Sequence, residues 1–148
     1  ACGSVGMAGG QALDLDAVGT QIGIEALETM HGLKTGALIR ASVLAPCILA
    51  GLDESAMHHA AAYGNCVGLA FQVHDDILDI TGNSELTGKN TMADVALDKP
   101  TFPSILGLEA SVERARELRD QAVRHLDGVP GDTAMLAWLA SYVIERDR

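Results

Sequence analysis

A chain of 148 residues that is 48% hydrophobic but only 3% aromatic is long enough for one domain with a real core, and its Ala, Leu, Val and Ile side chains suit packed helices better than a β-sandwich. Its net charge of −10 excludes nucleic acid as a general partner, because binding that polyanion draws on clustered Lys and Arg; a local basic pocket is still allowed. Gly, His, Asn and Asp interrupt every apolar run, so none is expected to reach the length of a membrane span, and no basic stretch precedes an apolar one at the start to mark a signal peptide.

The sequence begins Ala1-Cys2-Gly3-Ser4, without an initiator Met, as a chain entered midway does. Residues 3–10 are Gly-rich, which fits a loop or closely packed helices; without flanking strands they are not a Rossmann phosphate loop. Short helices are expected over 16–30. A further helix is expected over 34–49, where Leu38, Ala41, Ala45 and Leu49 recur at helical spacing. Gly51-Leu52-Asp53 reads as a turn, with Asp53 as N-cap of a long helix over 54–80. The polar residues 82–90 read as a loop. Residues 97–108 have a helical pattern, in which Pro100 fits a first turn and Pro103 can distort it. An amphipathic helix over 111–126, a turn over 128–132 and a last helix over 133–144 complete an all-α fold. Cys47 and Cys66 lie in apolar helical stretches and are expected to be buried thiols. A reducing, cytoplasmic setting follows.

The most informative stretch is Phe71-Gln72-Val73-His74-Asp75-Asp76-Ile77-Leu78-Asp79, inside the long apolar helix. At about 100° per residue, Asp79 falls about 40° and Asp76 about 100° from Asp75. Gln72 falls at about 60° and Phe71 at about −40° on the same scale. Carboxylates gathered on one side of a helix repel each other. A hard divalent cation relieves that cost, and Mg²⁺ binds through one or two carboxylates plus substrate phosphates. Solvated surface charges are the alternative for such a pattern. The apolar surroundings (Val67, Leu69, Ala70, Val73, Ile77 and Leu78) weigh for a Mg²⁺-diphosphate site on a helical wall.

Gly64 and Gly68 fall on the same arc, and either leave space or admit a closely packed helix. Lysines are scarce: Lys34, Lys89 and Lys99. A lone Lys is ordinarily a solvated charge. These three lie at element boundaries beside small or polar residues, and read as diphosphate ligands.

At these residues the chain resembles the C-terminal half of trans-isoprenyl diphosphate synthases, nearest to the bacterial farnesyl diphosphate synthases. The matching stretches are Gly9-Gly10-Gln11-Ala12-Leu13-Asp14, His31-Gly32-Leu33-Lys34-Thr35-Gly36-Ala37-Leu38-Ile39, and Gly68-Leu69-Ala70-Phe71-Gln72 followed by Asp75-Asp76-Ile77-Leu78-Asp79. Gly88-Lys89 leading to Asp94, Lys99-Pro100-Thr101-Phe102-Pro103 and Tyr142-Val143-Ile144-Glu145-Arg146 also fit, in the same order.

The resemblance implies a bundle of α-helices around a deep cavity, and 1′-4 condensation of isopentenyl diphosphate with an allylic diphosphate (geranyl or dimethylallyl). The implied product is farnesyl diphosphate. A geranylgeranyl diphosphate synthase and a non-catalytic regulatory partner of a prenyl synthase are the alternatives. It implies Mg²⁺ at Asp75, Asp76 and Asp79, and Lys34, Lys89 and Lys99 on the allylic diphosphate. It further implies Thr35 and Gln72 oxygens near the allylic cation, with Phe71 lining the isopentenyl pocket. A cytoplasmic homodimer is expected.

Met92 stands where the family usually has Gly, three residues after Lys89. His74 lies off the acidic face and is expected to pack or face solvent; His31 is expected to be structural. No second Asp-Asp-x-x-Asp and no matching Arg pair occurs here. Residues 1–148 are therefore expected to be the C-terminal part of one domain, inactive without the N-terminal half that the family's first aspartate motif implies. An unrelated di-metal bundle would use a pair of Glu-x-x-His motifs on two helices; such a pair is missing, since only Glu28-Thr29-Met30-His31 has that spacing.

Overall fold

A computed structural model describes residues 1–81 and 99–147. Among these residues all regular structure is helical: α1 (Met7–Asp16), α2 (Ile24–His31), a π-helical turn (Gly32–Gly36), α3 (Ala37–Leu49) and α4 (Glu54–Thr81), then α5 (Phe102–Leu106), α6 (Leu108–Leu126) and α7 (Ala134–Glu145). The Gly-rich start therefore contains a helix. The 34–49 prediction divides into a π turn and a shorter α-helix.

Local chemistry sets these boundaries. Asp53 accepts the Ala56 N–H at 2.8 Å, the N-cap that the sequence predicts for α4. Thr101 and Ser104 form a reciprocal capping box at the start of α5. Pro103 sits within that first turn, where its missing N–H costs nothing, so it does not distort the helix. Gly107, at φ 84°, makes the sharp joint between α5 and α6 that an L side chain resists.

α4 is the spine. Tyr63, Val67, Ala70, Val73 and Ile77 recur along one stripe and bury against Ala115, Leu118, Ala122 and Leu126 of α6. α7 adds Ala140 and Val143, α2 adds Leu27 and Met30, and Phe102 of α5 closes one end. Tyr63 donates its hydroxyl to the Leu136 carbonyl at 2.8 Å, tying α4 to α7.

Another strip of α4 carries Gly64 and Gly68. A Cβ on Gly68 would stand 2.7 Å from the Gly36 Cα, and one on Gly64 2.9 Å from the Arg40 Cα. The two glycines thus serve close helix packing. Gly10 likewise presses on the Lys34 backbone, with no room for a side chain.

α3, apolar as it is, has no fully buried residue: Ile39 and Val43 pack against the core, and Leu38, Ile48 and Leu49 stand exposed. Two expectations need correction. Cys47 and Cys66 are only partly buried. Ile24–Leu49 forms one helical run of 26 residues, long and apolar enough by length and composition to cross a membrane. The π turn joins two segments that the interrupted apolar pattern keeps separate.

Candidate functional site

The π turn carries Lys34 and Thr35. Such turns widen the i→i+4 ladder by one residue and are common at functional positions. Lys34 Nζ donates to Asp14 Oδ2 at 2.9 Å. Lys99 Nζ, just ahead of α5, approaches the same oxygen at 3.4 Å. Three elements far apart in sequence thus meet at one carboxylate. Burial pushes the Asp14 carboxyl up, but Lys34 and then Lys99 outweigh it and hold it below the usual carboxylate value.

The aspartates of α4 occupy unequal surroundings. Asp76 is 6% exposed, and its Oδ2 accepts the Phe102 N–H at 2.9 Å. His31 lies against the same oxygen at 3.8 Å and stacks on the Phe102 ring, 5.8 Å between centroids. Burial lowers the His31 pKa to about 4, with Lys34 adding to the shift while Asp14, Gln72 and Asp75 oppose it. His31 is therefore neutral at neutral pH, and its approach to Asp76 is not an ion pair. Both ring nitrogens are buried without a hydrogen-bond partner. Gln72, buried on the same helix, is the neighbour that a protonated His31 would bond.

Asp75 and Asp79 are partly exposed. Arg146 Nη2 lies 3.5 Å from Asp75 Oδ1, with its guanidinium 4.4 Å above the Phe71 ring centroid, a cation–π arrangement. His74 Nε2–H donates to the Arg146 carbonyl at 2.9 Å. His74 is thus a tether for the end of the chain, in keeping with its place off the acidic face.

The structure therefore links Lys34, Lys99, Phe71, Gln72, Asp75 and Asp76 around one end of α4, with His31 and Phe102 as connecting pieces. Thr35 is half-buried in the π turn beside Lys34. Lys89, Met92 and Asp94 lie outside the described residues. Among the described residues, no three His, Cys, Asp or Glu side chains are gathered closely enough to hold a metal by themselves. Asp75 turns toward Arg146 and Asp76 toward Phe102, so adjacent carboxylates diverge. An apolar groove of about 460 Å³ between α1 and α2, lined by Leu13, Ala17, Ile22 and Met30, contains none of the predicted site residues.

Asp14 and Arg146 are the components that sequence reasoning missed. Asp14 is one of two acids, with Asp16, at the end of a Gly- and Ala-rich helix. Arg146 is one arginine among many near the chain's end.

Residues 3–129 match the polyprenyl synthetase family model. The chain is 45% identical over 152 residues to the farnesyl diphosphate synthase of Escherichia coli K12, covering 100% of this chain and 51% of the relative. It is 40% identical to a chloroplastic geranylgeranyl pyrophosphate synthase of Capsicum annuum, covering 98% of this chain and 40% of the relative. Among solved structures, a putative farnesyl-diphosphate synthase from Marinomonas sp. MED121 superposes with a TM-score of 0.79 at 34% identity, over 97% of this chain and 48% of that one. A geranyltransferase from Helicobacter pylori, complexed with magnesium and isoprenyl diphosphate, gives 0.77 at 34% identity over 94% and 46%. The chain thus spans about half the length of the curated farnesyl relatives it matches. On this match of sequence and helical fold, the chain belongs to the polyprenyl synthetase family.

Proposed function

We propose that this chain supplies the allylic, leaving-group side of a prenyltransferase site, in a protein that condenses isopentenyl diphosphate with geranyl or dimethylallyl diphosphate to give farnesyl diphosphate and diphosphate. One observation carries the reading: two of the three lysines in the chain, 65 positions apart by their numbers, converge on a single carboxylate oxygen beside the aspartate-bearing helix.

Lys34 and Lys99 would bind the diphosphate of the allylic substrate and stabilise its charge as the carbon–oxygen bond breaks, with Lys89 as a third cation. Thr35 and Gln72 would offer oxygen dipoles to the allylic cation, fixed in place before charge develops. Phe71 would line the isopentenyl side, where its apolar ring excludes water. The alkene then attacks the cation and a proton is lost.

Mg²⁺ fits the donor set. The carboxylates are hard oxygen ligands, and this ion needs only one or two of them when phosphates and water complete its shell. Asp75 and Asp79 would hold it from the more open side of α4 and Asp76 from the buried side; it would make diphosphate a better leaving group. Magnesium in the Helicobacter pylori structure supports the choice.

The exposed apolar side of α3 and the doubled length of the relatives support an N-terminal half as the opposite wall of the cavity. A homodimer in the cytoplasm, to which the three free cysteines are suited, completes the reading. The higher identity to a farnesyl than to a geranylgeranyl synthase favours the shorter product. A purely regulatory partner has no need of these carboxylates and lysines.

The test uses the full-length protein with Mg²⁺, isopentenyl diphosphate and geranyl diphosphate, with products separated by chain length. Farnesyl diphosphate is expected. Lys34→Ala or Lys99→Ala should raise the KM for geranyl diphosphate by roughly tenfold or more, the scale of one charge-assisted hydrogen bond. A change confined to the isopentenyl KM would put the lysines on the other substrate; no prenyl product at all would overturn the function.

A further inference from the structure

We infer that Asp14 is a positioning residue for the reaction: it sets the two diphosphate-binding lysines and cancels one of their charges while no diphosphate is present. The inference rests on the reading of Lys34 and Lys99 given above. Asp14 lies outside the aspartate-rich motif; it belongs to α1, which packs on the π turn that carries Lys34.

The geometry has three parts. A single oxygen, Asp14 Oδ2, meets Lys34 Nζ at 2.9 Å and Lys99 Nζ at 3.4 Å. Two ammonium groups brought to one point repel unless a negative charge stands between them. The Asp14 side chain is 13% exposed, and those of Lys34 and Lys99 are 32% and 21% exposed. Water therefore screens the trio only partly, and each loss is felt by the others. Third, the backbones are fixed. Gly10 packs flush on the backbone of Lys34, locking α1 to the π turn, and Phe102 is bonded to Asp76 three residues beyond Lys99. The carboxylate thus sits on a rigid element and the lysine stems reach toward it.

A diphosphate entering this place meets two cations already gathered. It needs only to share or take over the contacts that Asp14 makes. When the product diphosphate leaves, the carboxylate takes up the charge again. A residue with this task strengthens turnover and weakens diphosphate retention, an opposition that a merely structural ion pair does not produce.

Asp14→Asn in the full-length protein tests it. Turnover with geranyl and isopentenyl diphosphates should fall roughly 10- to 100-fold, the cost of misplaced binding groups. The affinity for inorganic pyrophosphate, measured calorimetrically in EDTA, should rise about threefold or more, because an opposing charge is gone. Asp14→Glu, which keeps the charge, should hold pyrophosphate affinity at the wild-type value with intermediate turnover. Adding Asp14→Asn to the Lys34→Ala/Lys99→Ala pair should slow turnover no further, since Asp14 acts through those two lysines.

Wild-type turnover and pyrophosphate affinity in Asp14→Asn, or a further loss when Asp14→Asn is added to the two lysine replacements, would overturn the inference and leave the lysine site standing. Unchanged pyrophosphate affinity in both Lys34→Ala and Lys99→Ala would instead sink the site on which it rests. Should Asp14→Asn lose its helical circular dichroism, Asp14→Glu decides. Intermediate turnover supports the role, and wild-type turnover overturns it.

Discussion

Asp75 and Asp76 are adjacent in sequence but differ in what they contact. Asp75 is partly exposed and faces Arg146, whereas Asp76 is buried and receives the N–H of Phe102. Asp75→Ala should therefore slow turnover of the full-length enzyme by orders of magnitude, as metal and leaving-group stabilisation are lost together, with little change in urea midpoint. Asp76→Ala should in addition cost about 1–3 kcal/mol of stability, because a buried N–H loses its acceptor. Equal urea midpoints for the two variants would refute the distinction. The acidic spacing was legible because helical geometry alone places Asp76 about 100° from Asp75. The Phe102 contact was not, since it joins residues 26 positions apart. Asp14 was illegible for the same reason: one acid gains its meaning only from two lysines brought in by other elements.

At the scale of elements, two contacts of α4 decide how it sits. Gly68→Ala would place a methyl 2.7 Å from the Gly36 Cα, against backbone that cannot rotate away. A loss of about 1–3 kcal/mol is expected from such overpacking, read from chemical denaturation; an unaltered midpoint would show that the seam yields. Tyr63 supplies the second contact. It is 1% exposed, and burial raises its phenol from 10.0 to about 12. The fold therefore favours the neutral phenol. The stability from this difference is complete below pH 10 and drains away as pH climbs toward 12. Tyr63→Phe should flatten the alkaline arm of the stability curve, and should cost about 1 kcal/mol at neutral pH for the lost bond to Leu136. An unchanged alkaline arm would show that another group controls it. Apolar periodicity made these helices readable to within a few residues. It left the role of Gly64 and Gly68 open, because glycine has no side chain by which a pattern could distinguish a gap from a tight contact.

For the whole molecule, the governing fact is an apolar helix, α3, that packs on the core by one side, through Ile39 and Val43, and leaves large apolar side chains uncovered on the other. Ile48 is 64% and Leu49 89% exposed. The 148-residue chain purified alone should self-associate and show no prenyltransferase activity, by light scattering and product assay. Ile48→Glu with Leu49→Glu should reduce the association without touching the lysine site. A monodisperse monomer that makes farnesyl diphosphate would contradict the need for a second half. The π turn explains why one continuous run behaves so differently along its length. Its extra residue shifts everything downstream by about 100° of helical phase. Leu27, Met30 and His31 upstream point into this chain's core, while α3 only leans on it through Ile39 and Val43 and turns Leu38, Ile48 and Leu49 outward. One inserted position thus lets a single rod bury its upstream segment and keep an apolar side exposed downstream. Deleting one residue within 32–36 would bring the rod back into phase. It would turn the outward side of α3, with Leu38, Ile48 and Leu49, by about 100° toward this chain's core and draw Ile39 and Val43 away from it.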